Sequence, residues 1–175
     1  APTEGAPTVR QITMSPKTVA GYIDLSRKLM IQSSPSAEAM FRSDLVNQVA
    51  LAIDSVGING GGSNEPTGIL QTSGIGSVAI GTNGGAPTWE SLVNLVREVS
   101  IDNADIGSLA FLTNPETLAK LRSTVRVSST DSKMLLDDKN ELFGHRVIAT
   151  NLIPNDLSKG SGSGLSAMIF GNFSD

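Results

Sequence analysis

Hydrophobic and polar positions change rhythm several times along this chain of 175 residues. The clearest rhythm comes after Pro35, where Met40, Phe41, Leu45, Val49, Ala52, Ile53 and Val56 recur at spacings of three and four. That period puts them on one stripe of a helix and leaves Arg42, Asn47 and Asp54 elsewhere on its circumference. Ser34 as the cap, Pro35 in the first turn and Glu38 near the positive end of the helix dipole mark its start. A helix over 35–56 would extend roughly 30 Å at ~1.5 Å per residue, the length of a small domain.

Ahead of the helix, residues 1–7, APTEGAP, carry two prolines and no apolar pattern, so they read as a tether. From Val9 to Ile31 β-branched and aromatic residues come near to alternation. This predicts two extended segments broken at Ser15-Pro16, with Val19, Tyr22, Ile23, Leu25 and Leu29 buried. A proline there argues against one continuous central strand.

Beyond the helix lies a glycine loop, GINGGGSNEPTGIL (57–70), followed by a short strand-like VAI at 78–80. A helix over 89–99 is predicted next, capped by Thr88, with Leu92, Val93, Val96 and Val99 facing a core. SLAFL (108–112) reads as a buried strand, and Asn114-Pro115-Glu116 starts a short helix reaching Leu121, with Asn114 as its cap. MLLDDKNELFGHRVIAT has two β-prone arms around Asp137-Asp138-Lys139-Asn140, which predicts a hairpin returning as RVIAT. A last strand is expected at AMIF, and KGSGSG (159–164) has the composition of a flexible linker. No internal repeat is visible, and this order of helices and strands predicts an α+β fold.

Composition narrows the function. Hydrophobic residues make up 39% and charged residues 17%, which suits a globular protein with large uncharged surfaces, some of them meeting other protein. The net charge is −4 and no basic run occurs, so nothing beyond non-specific contact with DNA is expected. The absence of cysteine excludes disulfides, thiolate nucleophiles and cysteine zinc sites. The longest apolar runs fall far short of the ~20 residues of a membrane span, so no membrane partner is expected. The chain begins at Ala1 and stops at Asp175, just after the strand-like AMIFGNF, and is expected to be a piece of a longer protein.

Candidate chemistry is sparse. A phosphate cradle sets its glycines between a strand and the start of a helix. Here the glycines follow a helix end, no Lys-Ser or Lys-Thr pair closes the motif, and Glu65 would repel an anion. Glycine just past a helix is the usual helix stop. Asp137, Asp138 and Glu141 could be proposed as an acid/base pair or a calcium site. However, neighbours on a strand point to opposite faces, and the alternating acidic pattern of a calcium loop is missing. His145 is the single histidine, which leaves no histidine–cysteine set for zinc, and the Gly-Ser-Gly run at 160–164 lacks the strand-to-helix setting of a nucleophile elbow. Trp89 and the phenylalanines are spaced as core residues and not as a stacking platform for bases. No catalytic, cofactor-binding or metal-ligating residue is assigned, and no cofactor is expected.

The order of features is more telling. VAGYIDLSRKLMIQSSPSAEAMFRSDLVNQVALAIDSVGINGGGSNEPTGIL resembles the centre of tailed-phage major capsid proteins of the Hong Kong 97 type. There a β-arm leads through a Ser-Arg-x-Leu step, here Ser26-Arg27-Lys28-Leu29, into a long spine helix. An Asn-Gly-x-Gly loop and a Pro-x-Gly-Ile/Leu turn follow, here Asn59-Gly60-Gly61-Gly62 and Pro66-Thr67-Gly68-Ile69. FLTNPETLAKLRS, LFGHRVIATNLIP and AMIFGNFSD are similar to three further family motifs in the same order, so the resemblance runs from about Val9 onward. Arg146 and Asn172 depart from the family's usual proline and aspartate.

The resemblance implies a Hong Kong 97-type fold with a long spine helix and a mixed α/β axial domain. Residues 1–56 would supply part of the extended loop and peripheral domain, and residues 57–175 the axial domain. It implies a structural subunit, not an enzyme, that self-assembles into an icosahedral shell enclosing DNA, located in the virion and in the host cytoplasm before assembly. Its partners would be copies of itself in pentamers and hexamers, with scaffold and portal proteins. Some family members cross-link subunits through a lysine of the extended loop. Lys17 lies near the base of that loop, but no motif marks it as reactive, and it is read as a surface charge. The alternatives are an encapsulin-type bacterial shell and, from another class, a hydrolase or carbohydrate-binding module using Asp137 and Glu141.

Overall fold

The structure, a computed structural model, describes residues 11, 15–32, 36–129, 133–136 and 139–173. It consists of a long helical rod joined at one end to a mixed lobe. The rod is α2, Ser36–Asn59, at 24 residues roughly 36 Å long for a rise of ~1.5 Å per residue. The predicted helix is therefore present, and it runs three residues further before the glycines stop it. The capping residues proposed for it, Ser34 and Pro35, lie outside the described residues. Within its first turns Glu38 pairs with Arg42 at 2.9 Å, an exposed i,i+4 contact worth only ~0.3–0.5 kcal/mol.

The segment before it departs from expectation. Residues 15–26 form no strand, and Arg27–Gln32 is a short helix, α1. Ser26 opens that helix, since its hydroxyl accepts from Leu29 N at 3.2 Å and its carbonyl from Met30 N at 3.1 Å. The β-branched residues favour extension, but a strand needs a ladder partner, and none is present among the described residues. Burial was also overestimated: Leu25 is half-buried, whereas Val19, Ile23 and Leu29 are exposed and Tyr22 is 87% exposed. Of the first extended segment only Gln11 and Ser15 fall within the described residues.

In the lobe, α3 (Trp89–Ile101) starts with a reciprocal capping box. Thr88 Oγ1 accepts from Ser91 N at 3.2 Å, and Ser91 Oγ accepts from Thr88 N at 3.0 Å. Strand β1 (Leu109–Thr113) runs directly into α4 (Pro115–Ser123). Then come β2 (Glu141–Leu142), β3 (His145–Ala149), β4 (Leu157–Lys159), β5 (Gly162–Leu165) and β6 (Met168–Asn172). The main sheet has the order β2-β3-β1-β6, with β1 and β3 parallel and the other pairs antiparallel. Phe111, Val147 and Phe170 are direct cross-strand partners and share one face. They pack with Leu92, Leu121, Leu135, Leu136 and Leu142 into a single core. The rings of Phe111 and Phe170 stack at 4.3 Å.

Four local expectations change. The hairpin turns at Phe143-Gly144, where φ is 53° and 80°, because Leu142 pairs with His145. Two positive φ values in a two-residue loop match the twist of paired strands. Upstream, Met134 instead bridges back to Val125, and Asp137 and Asp138 lie outside the described residues. KGSGSG is no linker: it supplies the turn and one arm of the β4–β5 hairpin. Residues 78–80 form no strand, because no neighbouring segment offers them a ladder. Val93 faces solvent, leaving Leu92, Val96 and Val99 as the inward stripe of α3.

Candidate assembly surfaces

The glycine loop is filled by its own chain. Gly60 N donates to Val56 O at 2.8 Å, which ends α2, and Gly68 N donates to Gly60 O at 2.8 Å. Glu65 folds back so that its Oε1 accepts from Gly61 N at 2.7 Å, and Gly61 bridges Thr67. A side-chain carboxylate thus occupies the place where an anion would have to sit. Among these glycines Gly62 takes a positive φ, 79°, while Gly60 and Gly68 serve close approach. A Cβ on Gly60 would collide with the carbonyl of Pro66, and one on Gly68 with the backbone nitrogen of Gly60. Lys17 Nζ donates to Ser63 O at 3.1 Å, tying the segment before α1 to this loop.

Of the three carboxylates proposed as an acidic site, only Glu141 falls within the described residues. Asp137 and Asp138 lie outside the described residues, and Glu141 sits exposed on β2 opposite Arg146. His145 is half-buried on the core side of the sheet, with its ring 5.2 Å from Phe170 and 6.4 Å from Phe111. It packs as an aromatic. Trp89 is half-buried, with Phe143 at 4.6 Å and the Arg126 guanidinium 4.2 Å over its ring. No group of three or more His, Asp or Glu residues able to hold a metal occurs among the described residues, and none of their helices is long and apolar enough to cross a membrane.

What the structure does display is apolar surface. Phe41, Leu45, Val49 and Val56 are half-buried and form the inner stripe of α2; Gly21 lies against Leu45 and Val49. Of the other stripe residues, Ala52 is exposed, Met40 is 64% exposed and Ile53 55%. Val46 and Leu51, which the sequence reading did not single out, are exposed as well. Apolar residues therefore sit on every side of α2, a composition normally found in helices surrounded by protein. Within the chain α2 meets the 3-10 turn Ile69–Gln71 near its C-terminal end. A second patch lies on the sheet face opposite the core, where Ile148, Leu112 and Ile169 line up across β3, β1 and β6. Ile101 at the end of α3 and Ile106 in the loop leading to β1 are exposed as well. The unbroken apolar runs LAFL and VIA held the signal for the sheet patch, since a strand with apolar residues on both faces does not alternate.

Comparison with known proteins bears on these surfaces. A family model described as the phage capsid family matches residues 1–175, the whole chain. The chain belongs to the phage capsid family. A major capsid protein of Halomonas phage phiHAP-1 is 28% identical over 146 residues, which are 83% of this chain and 23% of that protein. Among solved structures, the capsid of a native GTA particle with C5 symmetry superposes with a TM-score of 0.57 at 20% identity. That match covers 77% of this chain and 50% of the other. The capsid of the empty particle gives 0.55 at 22% identity, covering 74% and 47%. The fold is therefore the α+β capsid fold. The chain spans 23% of the length of its curated relative and about half of the solved chains.

Proposed function

We propose that this chain is part of the major capsid subunit of a tailed phage or prophage, whose full-length form closes into an icosahedral shell around DNA. The observation that carries this reading is the family match over every residue of the chain. The apolar girdle of α2 supports it physically, because such a helix needs surrounding protein that its own chain leaves out. Residues up to 56 belong to the extended loop and peripheral region, and residues 57–175 to the axial lobe; the junction of α2 with the lobe through the 3-10 turn favours that division. The subunit acts through repeated contacts, each modest, that reinforce one another through multivalency in pentamers and hexamers. It performs no catalysis. Its place is the virion after assembly and the host cytoplasm before, with scaffold and portal proteins as further partners. The net charge of −4 matches a shell that touches its genome non-specifically.

Electron microscopy of the intact gene product after expression tests this. Closed shells are expected. A persistent monomer with affinity for a small ligand would overturn the reading.

A further inference from the structure

The chain contains two Asn-Gly pairs, Asn59-Gly60 and Asn83-Gly84, and the fold treats them in opposite ways. In such a pair the glycine nitrogen can attack the preceding side-chain amide, because no Cβ hinders it and the backbone is permissive. Attack needs a glycine N–H free of other bonds, a polarised amide carbon and room for the amide nitrogen to leave.

Asn59-Gly60 fails the first requirement. Gly60 N is engaged with Val56 O at 2.8 Å, and Gly60 is buried between Val56 and the Pro66 carbonyl. Asn59 is the last residue of α2 and half-buried, with its Oδ1 accepting from Gln71 Nε2 at 3.0 Å.

Asn83-Gly84 meets all three. Asn83 is exposed in a turn, and Gly84 N has no acceptor among the described residues. Asn83 Oδ1 accepts from Ser161 N at 3.1 Å, so a fixed backbone donor draws charge onto the oxygen that turns anionic during attack. The Asn83 amide nitrogen has no partner among the described residues to retain it.

We propose that Asn83 is a site of spontaneous, backbone-assisted deamidation, while the last turn of α2 holds Asn59 inert. Gly84 N gives its proton to hydroxide and bonds to Asn83 Cγ. The Cγ–Nδ2 bond breaks, and the nitrogen leaves as ammonia after taking a proton from water. The resulting succinimide adds one water at either carbonyl, yielding aspartate or isoaspartate. Water is consumed and ammonia released, with no change of oxidation state.

The product has structural consequences. The turn at 81–84 sits against the β4–β5 hairpin, where Gly160 and Gly162 leave room for the Asn83 side chain and carbonyl, and Leu165 covers Gly84. Isoaspartate routes the main chain through the former side chain, lengthens it by a methylene and withdraws Oδ1 from Ser161 N. The isoaspartate product unseats this contact, and either product adds one negative charge.

The test uses the native protein held in mildly alkaline buffer at physiological temperature, with peptides carrying Asn59 and Asn83 followed by mass spectrometry. Asn83 is expected to convert roughly tenfold faster than Asn59, equivalent to about 1.4 kcal/mol of barrier, and faster at higher hydroxide concentration. In urea the two rates should converge. Equal native rates, a faster Asn59, or a difference that persists in urea would each overturn the proposal.

Discussion

Asn114 joins three parts of the lobe, and its replacement offers a sharp test of the packing account. The residue is 5% exposed at the junction of β1 and α4. Its Oδ1 accepts from Glu116 N at 2.8 Å, capping α4, and its Nδ2 donates to the carbonyl of the fully buried Ile153 at 3.0 Å. Asn114→Ala removes the cap, at about 1 kcal/mol. It also leaves a buried carbonyl without a donor, at about 1–3 kcal/mol. The sum, about 2–4 kcal/mol, lowers the midpoint of thermal unfolding by roughly 5–15 °C in a domain of this size. Asn114→Ser separates the two effects, since its hydroxyl retains the cap but does not reach Ile153. Asn114→Asp also keeps a cap acceptor, but it sets a buried carboxylate against a carbonyl and should cost at least as much as alanine. Urea unfolding followed by fluorescence of the single tryptophan, Trp89, which packs on the core, reads all three variants. An alanine variant within about 0.5 kcal/mol of wild type, the ordinary range for a surface change, would refute the reasoning. So would a serine variant as stable as wild type.

Three further outcomes follow from the same packing. Gly60→Ala should disrupt the loop after α2 because its Cβ meets the Val56 and Pro66 carbonyls, whereas Gly57→Ala, inside the helix with open space around it, should stabilise by about 0.5–1 kcal/mol; circular dichroism melts decide. Gly144→Ala has room for its methyl but must hold φ near 80°, so it should cost about 1–2 kcal/mol in chemical denaturation, with no change in the packing of Trp89 on Phe143. Met40→Lys with Ile53→Lys should leave lobe stability within about 0.5 kcal/mol yet sharply reduce shell yield by electron microscopy, because both residues are exposed in the isolated chain.

Much of the fold was legible where the signal is local. The cap at Thr88, the Asn114-Pro115 start of α4 and the period of α2 each depend on residues within one turn of one another. The misreadings fall where partners are distant. VAI at 78–80 has the composition of a strand but no edge to join, while the glycine-rich run at 159–164 forms a hairpin because its β4 and β5 arms pair with each other and because the turn at 81–84 seats against it. Asp137-Asp138 drew attention as a turn, yet Phe143-Gly144 makes it: once Leu142 faces the core, register leaves two residues between the arms.

The burial of α2 shows the same division at larger scale. Spacing establishes which residues share a side of the helix but not whether that side has a neighbour. Met40 and Ile53 share the stripe yet stand in solvent, whereas Leu45 and Val49 are half-covered because the chain near Gly21 crosses them.

The amino-acid order by itself determined α2, α3 and α4, the caps at Thr88 and Asn114, the lack of cysteine chemistry and the linear sequence of motifs, because backbone preferences and side-chain inventory act within a few residues. Tertiary structure alone decided the sheet order β2-β3-β1-β6, the self-filled glycine loop, the contrast between Asn59 and Asn83, and which apolar residues remain uncovered. Those outcomes depend on which distant segments meet, and the spacing of residues along a chain does not encode that meeting.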